Sequence, residues 1–415
     1  MKKFFANHPV ISTLTAFALM AVTAALLQFN STVTDGVALA NTFLTTQLIA
    51  REALLRLRNF LVMKALIYND YSNTFQKQGD TIRVKKPPVY IADEFSSTIN
   101  LQSIEEDSVN VTLNHIADVS VAWTSKEKAL NIEQFNQQVL DPAMEAIAQK
   151  IDEDIHKEFY KAVAFYTGAS GSTPTTLEAF ANVALIMNNN KVPLGGRVAV
   201  WNPAANAKFS ILDAIVHADK SGSTLALREG SIGRIQGLDN FMTQNVQTHT
   251  AGTFTAVASP KVKTLAVVGS TTLVLTGGAG TETIKEGDVF YVTTGGVKYY
   301  YSAASDTNAA GGDVSITTKQ KILAAHQVDD VITFPDKTAG GHAANLAFHR
   351  NACAFVSRPL EPPMGGASSY VTSFEGIALR VTAGYDISTK KEILSIDTLY
   401  GVKAVYPELA VRHLG

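Results

Sequence analysis

The stretch 79–123 constrains this chain more than any other. In "GDTIRVKKPPVY", Ile82 and Val84 alternate with Arg83 and Lys85, the period of a strand, and Pro87-Pro88 then ends regular pairing. A polar, acidic stretch, "ADEFSSTINLQSIEEDS", leads to "VNVTLNHIADVSVAW", where Val109, Val111 and Leu113 share one face. The pattern predicts a long two-stranded hairpin with an acidic tip. Two strands cannot bury their own apolar face. The arm therefore needs a neighbouring domain or a neighbouring subunit to lie on.

With 415 residues, the chain accommodates one large or two to three smaller domains and a sizeable core. Charged residues make up 17% and hydrophobic ones 46%, a balance that fits a protein hiding much of its surface in an assembly. The net charge of -2 leaves no global basic field to hold nucleic acid. The single cysteine, Cys353, excludes an intramolecular disulfide, and its place in "ACAFVS" reads as a buried, inert thiol.

Near the start, "HPVISTLTAFALMAVTAALLQFN" carries no charged residue and follows Lys2 and Lys3. With Ala38-Leu39-Ala40 behind it, the run reads as a secretory signal. It is also just long enough to span a bilayer, although Ser12, Thr13, Thr15 and Thr23 weaken it as an anchor. A third reading is an apolar helix buried against other subunits.

From Asn41 the character changes. Leu48, Ile49, Leu54, Leu55, Leu57, Leu61, Val62 and Leu66 recur at helical spacings, with Thr45 or Thr46 as a cap. Arg51, Arg56 and Arg58 fall on or near the other face. A long helix is predicted over 132–163, where Phe135, Val139, Ala143, Ile147, Ile151, Ile155 and Phe159 recur every four residues. Pro142 marks a kink or a true start with Asp141 as its cap, and Asp152, Glu153 and Asp154 are expected to look outward as a solvated face. An α/β unit follows, built from "LEAFANVALIMNNN", "GGRVAVWNPAANAKF" and a Gly-punctuated loop at 230–246.

Between about 247 and 335 charge falls while Thr, Gly and Val rise. Strands are expected at 264–268, 272–275, 289–292, 297–301, 313–317 and 331–334, with Gly295-Gly296 as a tight hairpin turn. This reads as a small β-barrel or sandwich inserted into a host domain, because the strands after it close the α/β part.

A search for chemistry returns little. None of the nine histidines pairs at the spacing of a helical zinc site, and no HExxH, phosphate loop or GxSxG elbow occurs. "GGAGTET" is Gly-rich but reads as a turn. No catalytic residue, cofactor or metal is expected.

Four stretches carry a resemblance. "NTFLTTQLIAREALLRLRNFLVMKALIYNDYSNTFQKQGDTIRVKKP" resembles the start of tailed-bacteriophage major capsid (coat) proteins, in particular the short-tailed-phage coats with an inserted β-barrel domain. "REGSIGRIQGLDNFMTQNV", "AFHRNACAFVSRPLEPP" and "LYGVKAVYPELAVRHLG" follow in family order. The resemblance implies an α+β chain with the tailed-phage major capsid fold. Its parts would be an apolar extension (1–40), an N-terminal arm (41–70), an E-loop (71–125) and a spine helix with P domain (126–170). An A domain with P-domain strands (171–246 and 337–392), an all-β insertion domain (247–336) and a closing strand (393–415) would complete it.

The implied function is a structural, non-enzymatic subunit of an icosahedral shell around phage DNA, assembled in the host cytoplasm. Its partners would be itself in hexamers and pentamers, a scaffolding protein, a portal, decoration proteins, and packaged DNA by non-specific proximity. Similar coats begin near "ANTFLT", so residues 1–40 depart from the pattern. They are read as a helix or arm buried in subunit contacts or on the inner wall rather than a membrane span, with an unused upstream start or a working signal as the alternatives. The acidic tip (Asp93, Glu94, Glu105, Glu106, Asp107) would meet basic residues of a neighbour, with Arg51, Arg56, Arg58, Lys126 and Lys128 as candidates. The alternative is a secreted or surface β-rich adhesin or surface-layer protein, which leaves the order of arm, hairpin and helix unexplained.

Overall fold

Two apolar strand positions root the hairpin. In this computed structural model, which describes residues 46–68, 81–85, 108–124, 139–217, 228–335, 341–363, 367–374 and 376–415, Thr81–Lys85 pairs antiparallel with Ser108–Thr112. Val84 and Val111 are buried and pack with Leu113, Ala354, Val356 and Val405. The return strand does not continue straight down the arm. It breaks at Leu113-Asn114, and His115–Thr124 instead joins the long strand Lys391–Ala404, in register from His115 opposite Tyr400 to Thr124 opposite Lys391. A side chain at Gly401 would put its Cβ 2.3 Å from the Thr112 carbonyl, so the root can pass this close only over a glycine.

Ala50–Gly415 forms one compact unit; of the other, Met1–Ile49, the described part is the first turn of the helix Thr46–Phe60. Within the larger unit a first antiparallel sheet joins Cys353–Arg358, Lys391–Ala404, Ile377–Asp386 and Ser368–Phe374, with His115–Thr124 on the other side of Lys391–Ala404. The long helix Asp141–Ala162 packs against it and buries Ala143, Ile147, Ile151, Ile155 and Phe159. The expected cap differs. The N-cap position is Leu140, without a side-chain cap bond, and Pro142 sits in the first turn.

A second, mixed sheet carries the α/β unit. Arg197–Trp201 lies between Leu238–Met242, parallel to it, and Gly341–His349, antiparallel. Ala410–Leu414 pairs with Gly341–His349 on its other side and with Tyr166–Gly168 in parallel. The helix Glu178–Asn189 closes one face around Phe180, Trp201 and Phe209. Asn202 accepts the Ala205 N–H at 3.0 Å and so starts the helix Pro203–Ser210 directly after the strand.

The insert has its own core of Phe254, Leu275, Phe290, Tyr301, Ile316 and Phe334, all buried. Its six-stranded sheet runs Val297–Ser302, Val289–Thr294, Val331–Thr333, Lys261–Val262, Thr272–Thr276, Asp313–Thr317. Gly295 and Gly296 both adopt positive φ (59° and 81°) and turn the first two strands as a two-residue hairpin. The strand expected at 264–268 does not form. Only Ala266 bridges, to His326, while Leu265, Val267 and Val268 stand exposed. Pairing is limited to the two backbone hydrogen bonds that Ala266 and His326 exchange, at 3.0 and 3.1 Å, so β-propensity alone does not make a strand here.

Candidate assembly surfaces

The charged residues expected to bind a neighbour divide into two groups. Asp93, Glu94, Glu105, Glu106, Asp107, Lys126 and Lys128 lie outside the described residues, as does the side chain of Arg58. Arg51 is exposed on its helix. Arg56 is engaged within the chain: it pairs with Asp141 in the first turn of the long helix, and Glu52 stands 3.8 Å away. A carboxylate in a first turn is favoured by the helix dipole, so Asp141 ties the two helices together instead of capping one.

The acid cluster expected to be solvated is mostly buried. Asp152 is 2% and Asp154 3% exposed. Asp152 accepts the Val62 N–H at 2.8 Å and is also bonded by the backbone of Met63 and Lys64, at the start of the short helix Met63–Leu66. Burial pushes its carboxyl up to about 6, against the pull of those N–H groups. Asp154 accepts the Tyr400 hydroxyl at 2.7 Å and Lys150 Nζ at 2.8 Å, with His115 Nδ1 at 3.7 Å. Burial, then the bond to Asp154, holds the Tyr400 phenol far above its usual range. His115 stacks on Tyr400, which stacks on Phe355.

The spacing held a signal for this. Asp152 lies four residues after Ala148 and Asp154 three after Ile151, both buried positions, so the helix turns more than one narrow stripe inward. The two carboxylates fix the opening helices and the start of His115–Thr124 to the long helix. The root of the hairpin, at Thr81–Lys85 and Ser108–Thr112, is thereby joined to the core of the body.

The insert is held by a second polar set. Glu286 bridges Lys161 of the long helix at 2.7 Å and Lys319 at 2.8 Å. Desolvation alone would raise the Glu286 carboxyl, but the two lysines outweigh it and keep it below the usual range. Gln320 Nε2 donates to the Ala162 carbonyl at 2.8 Å, closing the C-terminus of that helix. Among the described residues no group of three or more His, Cys, Asp or Glu could hold a metal, and no helix is long and apolar enough to cross a membrane.

Several large apolar side chains face outward on every part of the body: Leu194, Ile211, Leu265, Leu323 and Ile387 are each more than half exposed. Ile387 tops a hairpin braced by Asp386, which accepts the Ser388 N–H at 2.9 Å and the Thr389 hydroxyl at 2.6 Å.

No family model matches this chain. It is similar to the major capsid protein of Acyrthosiphon pisum secondary endosymbiont phage 1, 22% identical over 380 residues that cover 81% of this chain and 89% of that one. Among solved structures it overlaps one from Mycobacterium phage Che8 (TM-score 0.48, 16% identity, 85% of this chain and 90% of the other). It also overlaps the capsid of Ralstonia phage GP4 (TM-score 0.41, 11% identity, 85% and 87%). The capsid of a native GTA particle matches with a TM-score of 0.43 at 7% identity, over 85% and 91%.

Proposed function

We propose that this chain is the major capsid protein of a tailed bacteriophage and builds an icosahedral shell by self-assembly. The observation that carries the reading is the similarity to a phage major capsid protein over 81% of this chain and 89% of that one. The architecture supports it. A hairpin is rooted on the body through Val84 and Val111, and a long helix backs an antiparallel sheet. A second sheet and an inserted β module complete the subunit. Repeated heterologous contacts between such subunits close into rings and then into a shell.

The fold on this reading is the tailed-phage capsid fold, in the branch whose coats carry an inserted β domain. The role is structural. Scaffolding protein and portal take part in assembly, decoration proteins are further candidates, and packaged DNA lies against the wall without specific contacts. With Arg56 engaged by Asp141, the basic candidates left for the acidic tip are Arg51, Arg58, Lys126 and Lys128. The adhesin alternative rests on residues 1–40 and on composition, and neither explains the hairpin root. Electron microscopy of the full chain expressed in bacterial cytoplasm, with and without a scaffolding protein, tests the reading. Closed shells or polyheads are expected; monomers under both conditions, or export to the periplasm with processing at Asn41, would overturn it.

A further inference from the structure

The chain enters the insert along Thr248–Thr250 and leaves it along Gly341–His349, and these two strands pair with each other, His249 opposite His342. Both histidines are buried, with ring centres 5.4 Å apart. His249 Nε2 lies 2.9 Å from the carboxylate of Asp288 in the insert, and its ring meets Tyr160 of the long helix edge-on at 5.7 Å. One turn earlier on that helix, His156 is fully buried and accepts the Gln247 backbone N–H on Nδ1 at 3.3 Å. From the C-terminal strand, buried Arg412 lies over the Tyr160 ring at 5.5 Å and donates to the Gly287 carbonyl of the insert at 2.7 Å. His413, next to it, is buried edge-on against Trp201 at 5.4 Å.

The joint thus gathers histidines from the long helix and both linking strands beside the Arg412 guanidinium. A neutral imidazole has one lone pair, and His156 uses it to hold the entering strand. A protonated imidazole is a donor at both nitrogens and cannot accept that N–H. Its charge would also appear near Arg412, away from water. The carboxylate at the joint, Asp288, already takes His249, the Gly252 N–H at 3.1 Å and the Lys285 N–H at 2.8 Å. On the rim, Glu286 is held between Lys161 and Lys319. Among the described residues the one group at the joint that favours a charged His156 is the backbone of Ala344, and burial outweighs it.

We propose that this joint is an acid-released latch: protonation of His156 frees the entering strand, and the insert swings away from the long helix while both parts keep their folds. The insert has a core of its own, and the second sheet closes around a separate one, so release breaks the joint without opening either. Burial depresses His156 to about 3 and lowers His249 as well. Each imidazole held neutral in the closed form and free in the open one favours opening tenfold per pH unit below about 6.5, or about a hundredfold from pH 6.5 to 4.5.

The test uses the full chain held at pH 7, 5.5 and 4.5, then pulse-labelled with deuterium at one common pH and read by mass spectrometry. At pH 4.5, peptides covering 247–252, 285–290 and 341–345 should gain label, while those covering 272–276, 313–317 and 377–383 stay protected. His156→Gln keeps an acceptor that does not titrate and should move the opening at least one pH unit lower. A joint that stays protected at pH 4.5, protection lost evenly along the chain, or a variant that opens at the wild-type pH would each overturn the latch. Where the variant does not fold, the wild-type labelling pattern decides alone.

Discussion

Asp152 and Asp154 sit two residues apart on the long helix and meet different demands. Asp152 serves backbone N–H groups at a helix start, while Asp154 serves a phenol and a lysine. The Asp152 carboxyl is raised from 3.8 to about 6 in the fold. The folded state therefore binds its proton more tightly, and the contribution is fully present below about pH 3.8 and lost as pH rises through 6. Asp152→Asn removes that term. Relative to the variant, the wild-type protein should gain up to about 3 kcal/mol between pH 7 and pH 4. The buried histidines have the opposite sign, losing stability as pH falls from 6.5, so the variant should show the steeper acid loss. Urea unfolding at pH 4, 5.5 and 7 measures the difference; equal slopes for the two proteins would refute it. Cys353 follows its surroundings too: burial pushes the thiol up, which leaves it unreactive.

At the level of elements, the hairpin depends on its root more than on its own ladder. Five paired positions join its two strands, and Val84 and Val111 connect them to Ala354, Val356 and Val405. Gly401 is the tightest point of that junction. Gly401→Ala forces a methyl group against the Thr112 carbonyl, and overpacking of this kind costs about 1–3 kcal/mol. The expected result is a lower melting temperature with early proteolysis at 108–114, while 377–383 remains protected. Unchanged melting and cleavage would mean that the root yields freely and does not aim the arm. The long helix behaves more simply, since its four-residue repeat of apolar side chains is the face that it buries.

Over the whole molecule, the last strands stitch the parts together. Lys391–Ala404 runs through the first sheet and Ala410–Leu414 through the second, and Arg412 reaches the insert. A subunit braced in this way can present its hairpin, apolar tips and insert to neighbours as one body. If the acidic tip meets a neighbour's basic residues, Glu105→Lys with Glu106→Lys should leave the subunit folded but reduce shell yield at least tenfold, because like charges would then face each other. Sedimentation of assembled against free protein measures this, and wild-type shell yields would remove the tip from the assembly contacts.

Periodicity alone determined much of this protein. The long helix, the hairpin strands and the Gly-Gly turn could be read from spacing, because each depends on local backbone geometry and on one apolar face. Four stretches in family order pointed to the class of protein. Tertiary structure decided where burial ran against residue type. Asp152 and Asp154 turn inward because donors from distant segments, Val62 and Tyr400, arrive to satisfy them. The run at 264–268 stays out of the insert's sheet and meets a partner only at Ala266, opposite His326. His156 stands 91 positions from Gln247, and His249 and His342 come from separate strands. No local spacing encodes such a meeting; only the pairing of the strands that enter and leave the insert brings them together.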